Sequence, residues 1–131
     1  MNDKWRSQAG EWLAKAEEDE QSIEAIITSD GAPSTACFLA QQMAEKCLKG
    51  LLTFHGKSFR KVHDLLELAS KLREIEPEID KLIDELKTLN QYYVSTRYPG
   101  DFPEFTLREC KEAYEASKRV KEFTHGRVKS E

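Results

Sequence analysis

The sequence predicts an all-α fold, an up-and-down bundle of about five helices in a single domain that spans residues 1–131. Apolar residues recur at the three- and four-residue spacing of a helix, and glycine and proline residues separate these segments. Neither strands nor internal repeats are predicted. A chain of 131 residues has the size of one domain with one core.

The first two helices are predicted from a capping residue and an apolar pattern. Asp3 is the expected N-cap of the first helix, which ends near residues 29–31. Ser34 is expected to cap the second helix, whose apolar face continues to Leu52. Gly56 suits the left-handed conformation that follows a helix end, so the second helix is expected to stop there. We expect this helix to be the central one.

The third and fourth helices are separated by a proline. His63 or Asp64 opens the third helix, which continues to about Ile75. Pro77 is tolerated in the first turn of a helix but not in its interior, so it starts a fourth helix that runs to Tyr93. Two prolines and a glycine then predict a loop over residues 97–105.

The last helix begins with a capping box. Thr106 is followed three residues later by Glu109, so that each side chain can accept a hydrogen bond from the other residue's backbone N–H. The buried face of this helix is expected to carry Leu107, Cys110, Ala113, Tyr114, Ser117 and Val120.

The composition excludes some classes of protein. Lys and Arg number 20 and Asp and Glu number 24, which gives a formal net charge of −4. A broad basic field that would collect nucleic acid is therefore absent, and any contact with RNA must be local. Hydrophobic residues make up 39% of the chain, which is enough for a folded protein rather than a disordered one.

No membrane segment or signal peptide is predicted. The longest uncharged stretch, residues 31–44, is short for a bilayer and contains Pro, Ser, Thr and two Gln. Cys37, Cys47 and Cys110 are an odd number of cysteines without a Cys-x-x-Cys pair. We therefore expect reduced, buried thiols in a cytoplasmic protein.

Three stretches point to a family. They are Gln-Gln-Met-Ala-Glu-Lys-Cys-Leu-Lys-Gly at residues 41–50, Gly56 leading to Val-His-Asp-Leu at residues 62–65, and Tyr-Tyr-Val-Ser-Thr-Arg-Tyr-Pro-Gly-Asp at residues 92–101. In this order and at this spacing they resemble the HEPN domain, the helical domain named for higher eukaryotes and prokaryotes nucleotide-binding. The likeness runs from about Trp5 to about Phe123.

The resemblance implies a function as well as a fold. It implies a non-catalytic protein that binds a nucleotide or RNA, or an accessory subunit that works beside a separately encoded minimal nucleotidyltransferase. Such pairs occur in two-protein toxin and antitoxin modules. A purely structural dimer without a ligand is another interpretation.

Tyr92, Tyr93, Arg97 and Tyr98 are the main candidates for nucleotide binding. Phenol rings stack on bases, and a guanidinium group matches a phosphate with two parallel hydrogen bonds. In the alternative interpretation Arg97 stabilises the loop by bonding carboxylates or helix carbonyls, and Tyr93 belongs to the core.

His63 and Lys46 complete the predicted nucleotide site. His63 is either a ligand-binding residue or a helix-start residue whose ring caps or packs. Lys46 and Lys49 either face solvent or line the site, and the acidic residues are interpreted as solvated helix faces.

Neither a metal nor a cofactor is predicted. The three histidines, His55, His63 and His125, lie on separate elements without the spacing of a metal site. The glycine-rich loops that cradle phosphates are also missing from the sequence.

Arg119 and His125 are the candidate catalytic pair of an alternative function. Many HEPN domains are metal-independent ribonucleases marked by Arg, four to six residues, and His. By this resemblance His125 would be the base toward a ribose hydroxyl, and Arg119 would hold the scissile phosphate in a cleft completed by a second subunit. However, Val120 replaces a common polar residue, and six residues of helix turn the two side chains about 120° apart. Gly126 also suggests that His125 lies at a fraying helix end.

Trp5 and Trp12 lie seven residues apart and therefore on one face of the first helix. One interpretation places them in the core and the other in a subunit interface, where tryptophan is enriched. Together with the family resemblance, this pair leads us to expect a homodimer.

Overall fold

The computed structural model describes residues 3–93 and 104–129. Within these ranges the chain forms helices and no strand, which confirms the predicted all-α bundle. The helices are α1 (Asp3–Thr28), α2 (Pro33–Phe54), α3 (Leu65–Leu72), a 3₁₀ helix (Pro77–Leu82), α4 (Ile83–Asn90) and α5 (Leu107–Lys129). None of them is both long and apolar enough to cross a membrane.

Helix α2 lies at the centre of the bundle, as predicted. It packs against α1, α3, α4 and α5, and 14 of its 22 residues are buried. Small residues let its neighbours approach closely. A Cβ atom on Gly50, for example, would lie 3.1 Å from Cδ2 of Leu13 and 3.2 Å from Cβ of Trp12. Because this space is already filled, a larger side chain at position 50 would push α1 away from α2.

The three cysteines lie in the core as free, buried thiols. Burial raises the pKa of Cys37 and of Cys47 to about 12, and it also raises the pKa of Cys110. The thiolate is the reactive form of cysteine, so these side chains behave as small apolar groups at neutral pH.

The start of α2 differs from the prediction. Pro33 is the first residue of the helix and Ala32 is its N-cap, so Ser34 lies inside the first turn. Pro33 already has the helical φ, and it lacks a backbone N–H that would need an acceptor. It therefore suits the first helical position, and the helix begins earlier in the chain than predicted. The hydroxyl of Ser34 instead accepts a hydrogen bond of 2.7 Å from the backbone N–H of Phe105. Asp3 is itself helical rather than a flanking cap.

The end of α2 agrees with the prediction. The helix stops at Phe54, and Gly56 has a φ of +69°, in the left-handed region that favours glycine. The backbone N–H of Lys57 then donates to the carbonyl of Leu52 at 2.9 Å, which satisfies one of the last carbonyls of the helix. The ring of Trp5 lies directly over Gly56.

Helices α3 and α4 are shorter than the sequence predicted. Asp64 is the N-cap of α3 and accepts a 2.9 Å hydrogen bond from the backbone N–H of Leu66. The helix ends at Leu72 rather than at Ile75. Pro77 does start a new helical segment, but its first six residues form a 3₁₀ helix, and α4 ends before Tyr93.

The capping box of α5 is confirmed. The backbone N–H of Thr106 donates to Oε1 of Glu109 at 3.0 Å, and the N–H of Glu109 donates to the hydroxyl of Thr106 at 3.1 Å. Two expectations for this helix were wrong. Leu107 is 44% exposed, because it lies in the first turn rather than on the buried face. The helix also continues through Gly126 to Lys129, so His125 does not lie at its end.

Candidate functional site

A row of polar side chains runs along the buried face of α2. Gln41, Glu45 and Lys49 follow one another at four-residue spacing and are 0%, 4% and 7% exposed. Nζ of Lys49 donates to Oε2 of Glu45 at 2.8 Å. Of the two interpretations of Lys49, the solvent-facing one is therefore wrong, and the expectation that the acidic residues are solvated is wrong for Glu45. Two opposite charges are stable inside the bundle because each neutralises the other.

His63 is attached to this row twice. Its Nδ1 lies 3.0 Å from Oε1 of Glu45, and its backbone carbonyl accepts a 2.8 Å hydrogen bond from Nε2 of Gln41. The His63 side chain is nonetheless 49% exposed. Helix α2 therefore fixes both the backbone and the ring of a residue that solvent reaches.

Tyr93 covers one face of the His63 ring. The two rings stack with centroids 4.4 Å apart and planes at 16°. Phe38 of α2 lies 6.2 Å from the Tyr93 ring, which is partly buried. His63 and Tyr93 thus form an aromatic pair at the junction of α2, α3 and α4.

A second set of hydrogen bonds links the segment that carries His63 to the segment that carries Tyr93. The side chain of Asn90 accepts from the backbone N–H of Leu65 at 2.9 Å and donates to Asp64 at 2.8 Å. The hydrogen bond from Asn90, with those from backbone N–H groups, lowers the pKa of Asp64. Because Asp64 follows His63 and Asn90 closely precedes Tyr93, this contact brings the two rings together.

The buried row continues past Lys49 to a second aromatic pair, Trp12 and Phe59. Nζ of Lys49 lies 5.6 Å from the Trp12 ring centroid and 5.8 Å from that of Phe59. The two rings are 6.2 Å apart. A cation at this distance is attracted to both ring faces. A continuous set of contacts therefore leads from His63 through Glu45 to Trp12.

The other predicted tyrosine that the structure describes, Tyr92, does not join this aromatic pair. Tyr92 is 2% exposed and packs edge-on against Phe105 at 4.8 Å, and burial raises its pKa to about 12. Its ring face is therefore not open to a base in this structure. Arg97 and Tyr98 lie outside the described residues.

Lys46 makes an ion pair between α2 and α1. Its Nζ lies 2.7 Å from Oδ2 of Asp19, whose pKa is raised by burial although Lys46 opposes that shift. The predicted set thus supplies His63 and Tyr93 to the site, whereas Glu45 and Gln41 were not predicted as site residues. The signal that could have found them is the four-residue spacing of polar side chains on the apolar face of the central helix.

The side chains of Arg119 and His125 extend from α5 toward different helices. Nη1 of Arg119 lies 3.8 Å from Oε2 of Glu85 on α4, whereas Nε2 of His125 lies 3.8 Å from Oε1 of Glu17 on α1. Arg119 lines an open groove of about 660 Å³ between α4 and α5, together with charged residues of both signs. Within one chain the two side chains do not share a site.

The three histidines also lie apart. Nε2 of His55 is 3.0 Å from Oε2 of Glu76, and His63 and His125 contact carboxylates on α2 and α1. In the part of the chain that the structure describes, no group of three His, Cys, Asp or Glu residues could hold a metal ion.

The architecture is that of a small helical bundle with α2 at its centre and a polar, partly exposed site where three helices meet. The chain belongs to the HEPN domain family, whose model matches residues 9–127. Comparison with curated proteins gives no match.

Two crystal structures are similar to this chain. TT1696 from Thermus thermophilus is 30% identical, with a TM-score of 0.80 over 91% of this chain and 97% of that protein. ST0689, described as an archaeal HEPN homologue, is 23% identical, with a TM-score of 0.74 over 92% of this chain and 97% of that protein. The second likeness concerns the fold alone.

Proposed function

We propose that this HEPN protein is a non-catalytic nucleotide-binding or accessory subunit, and that His63 and Tyr93 form its nucleotide site. The observation that carries the proposal is the fixed, half-exposed His63 ring stacked at 4.4 Å on Tyr93. Aromatic and imidazole rings held in place offer a nucleobase a stacking surface without a further loss of side-chain entropy.

The geometry favours this function over RNA cleavage by one chain. A base and a phosphate-binding group must both reach the same substrate, but His125 contacts α1 and Arg119 contacts α4. The net charge of −4 also provides no general attraction for RNA. A small ligand recognised by local contacts fits these features better.

The accessory role rests on the family resemblance of the three sequence stretches. In this proposal the chain works beside a separately encoded minimal nucleotidyltransferase, in a module of the toxin and antitoxin kind. The nucleotide site would then lie on this chain, whereas the nucleotidyltransferase would carry out the reaction.

Nucleotide binding can be measured by calorimetric titration with AMP. Tyr93→Leu and His63→Ala are each expected to weaken binding by about 1–3 kcal/mol, because each removes a stacking ring. Lys15→Ala is the control, since Lys15 is an exposed residue of α1 away from the site. AMP that binds both variants as well as the wild type, or that does not bind the wild type, would contradict the proposal.

We also propose that the protein is a homodimer. Trp12 packs against Lys49 of α2, but Trp5 remains 38% exposed, which is unusual for so large an apolar ring. Light scattering at micromolar concentration is expected to give about twice the chain mass of 15.1 kDa. A mass equal to that of one chain would exclude the dimer under these conditions.

A further inference from the structure

We propose that Glu45 fixes the proton of His63 on Nδ1, and that Nε2 therefore recognises its ligand as a hydrogen-bond acceptor. This inference rests on the proposed function and specifies its chemistry. It assigns to His63 a donor group of the nucleotide, a ribose hydroxyl or a base amino group, and not the phosphate. Glu45 is then a positioning residue that acts through His63.

The carboxylate of Glu45 accepts hydrogen bonds from several neighbouring nitrogens. Its two oxygens lie 2.8 Å from Nζ of Lys49, 3.0 Å from Nδ1 of His63 and 3.4 Å from Nε2 of Gln42. A carboxylate can only accept hydrogen bonds, so each neighbouring nitrogen must be the donor. Nδ1 of His63 consequently carries a proton.

The negative charge of Glu45 is balanced by Lys49. Glu45 and Lys49 are 4% and 7% exposed and already form a neutral pair. At neutral charge the ring has one N–H only, and Glu45 holds it on Nδ1.

The other ring nitrogen of His63, Nε2, is left to accept a hydrogen bond. Nε2 of His63 then has a lone pair, and it has no hydrogen-bond partner among residues 3–93 and 104–129. Glu45 holds the Nδ1 edge, Tyr93 covers one face, and the side chain is 49% exposed, which leaves the edge with Nε2 available to a ligand. A lone pair there attracts an O–H or N–H donor, whereas a phosphate oxygen would bring a second acceptor.

The tautomer can be measured in the free protein by ¹⁵N NMR of the imidazole nitrogens. In the neutral form of its ring, His63 is expected to show a protonated Nδ1 and an unprotonated Nε2. The double variant Glu45→Met with Lys49→Met removes the acceptor and leaves no unpaired charge, so the proton is expected to move to Nε2 in most molecules. His63→Gln assigns the signals.

A matched control replaces an exposed ion pair. Arg60 and Glu67 are linked at 2.9 Å on the surface, and Arg60→Met with Glu67→Met is expected to leave the His63 tautomer unchanged. A wild-type ring protonated on Nε2, or a tautomer that does not change when Glu45 and Lys49 are both replaced, would overturn the role of Glu45.

The ligand class is tested with two probes. Adenosine, which has hydroxyl and amino donors but no phosphate, is expected to bind within about threefold of AMP, a difference below about 1 kcal/mol. Inorganic phosphate is expected not to displace AMP. Displacement by phosphate together with loss of adenosine binding would overturn the assignment of donor groups to His63.

The proposed function and the role of Glu45 are tested by separate measurements. If AMP does not bind the wild type, the proposed function fails and the ligand class with it. The tautomer is measured without any ligand, so it decides the role of Glu45 in either case.

Discussion

Replacing Glu45 with alanine is expected to lower the free energy of unfolding by about 3–5 kcal/mol, one of the largest effects of any single change in this chain. The substitution leaves Lys49, which is 7% exposed and donates to Glu45 at 2.8 Å, as an unpaired charge inside the bundle. It also removes the acceptor of His63 Nδ1. Urea unfolding followed by circular dichroism measures the change.

The double variant Glu45→Met with Lys49→Met separates charge from packing. Because both charges are removed and the side-chain volumes are similar, its stability is expected to lie within about 1–2 kcal/mol of the wild type. Glu67→Ala is the control, since it breaks the surface pair with Arg60 and is expected to change the stability much less than Glu45→Ala does. Equal costs for Glu45→Ala and Glu67→Ala would show that the buried pair is not what stabilises α2.

Gly56→Ala is expected to destabilise the protein by about 2–3 kcal/mol. A side chain at φ +69° costs about 1–2 kcal/mol in the left-handed conformation. The new Cβ would also overlap the Trp5 ring, which must move and lose its contact with the end of α2. Because that ring is 38% exposed it can rotate outward, so the added cost stays moderate.

Gly10→Ala is the matched control for this substitution. A Cβ on Gly10 meets nothing within 4 Å, and the residue lies inside α1, so alanine is expected to stabilise the helix by about 0.5–1 kcal/mol. In a Trp5→Ala background the cost of Gly56→Ala is expected to fall to the backbone part alone. In thermal unfolding, Gly10→Ala is expected to raise the melting temperature and Gly56→Ala to lower it. Changes of the same sign would contradict this prediction.

The sequence predicted features that depend on residues close together in the chain. The capping box of Thr106 and Glu109, the cap at Asp64 and the left-handed Gly56 each need only the geometry of one helix end. The start of α2 was not predicted correctly, because Pro33 and Ser34 both suit a helix start and the proline is preferred in the first turn. The predicted cap at Asp3 was also wrong, since Asp3 is itself helical.

The site was predicted only in part, for a physical reason. Tyr93 and His63 were both candidates, but their stacking depends on hydrogen bonds from Asn90 to Asp64 and from His63 to Glu45, across elements far apart in sequence. Charge is also a poor guide to burial, since a lysine and a glutamate are usually exposed unless they are paired. Here the pairing partner lies one helical turn away.

The link between the buried pair and the surface ring also limits how this chain can evolve. A lineage that no longer needed His63 could lose that ring at little cost, since the side chain is half exposed. It could not lose Glu45 or Lys49 singly, because either loss would strand the other charge. The buried pair would therefore persist in such a lineage after the ligand proposed for His63 had been lost.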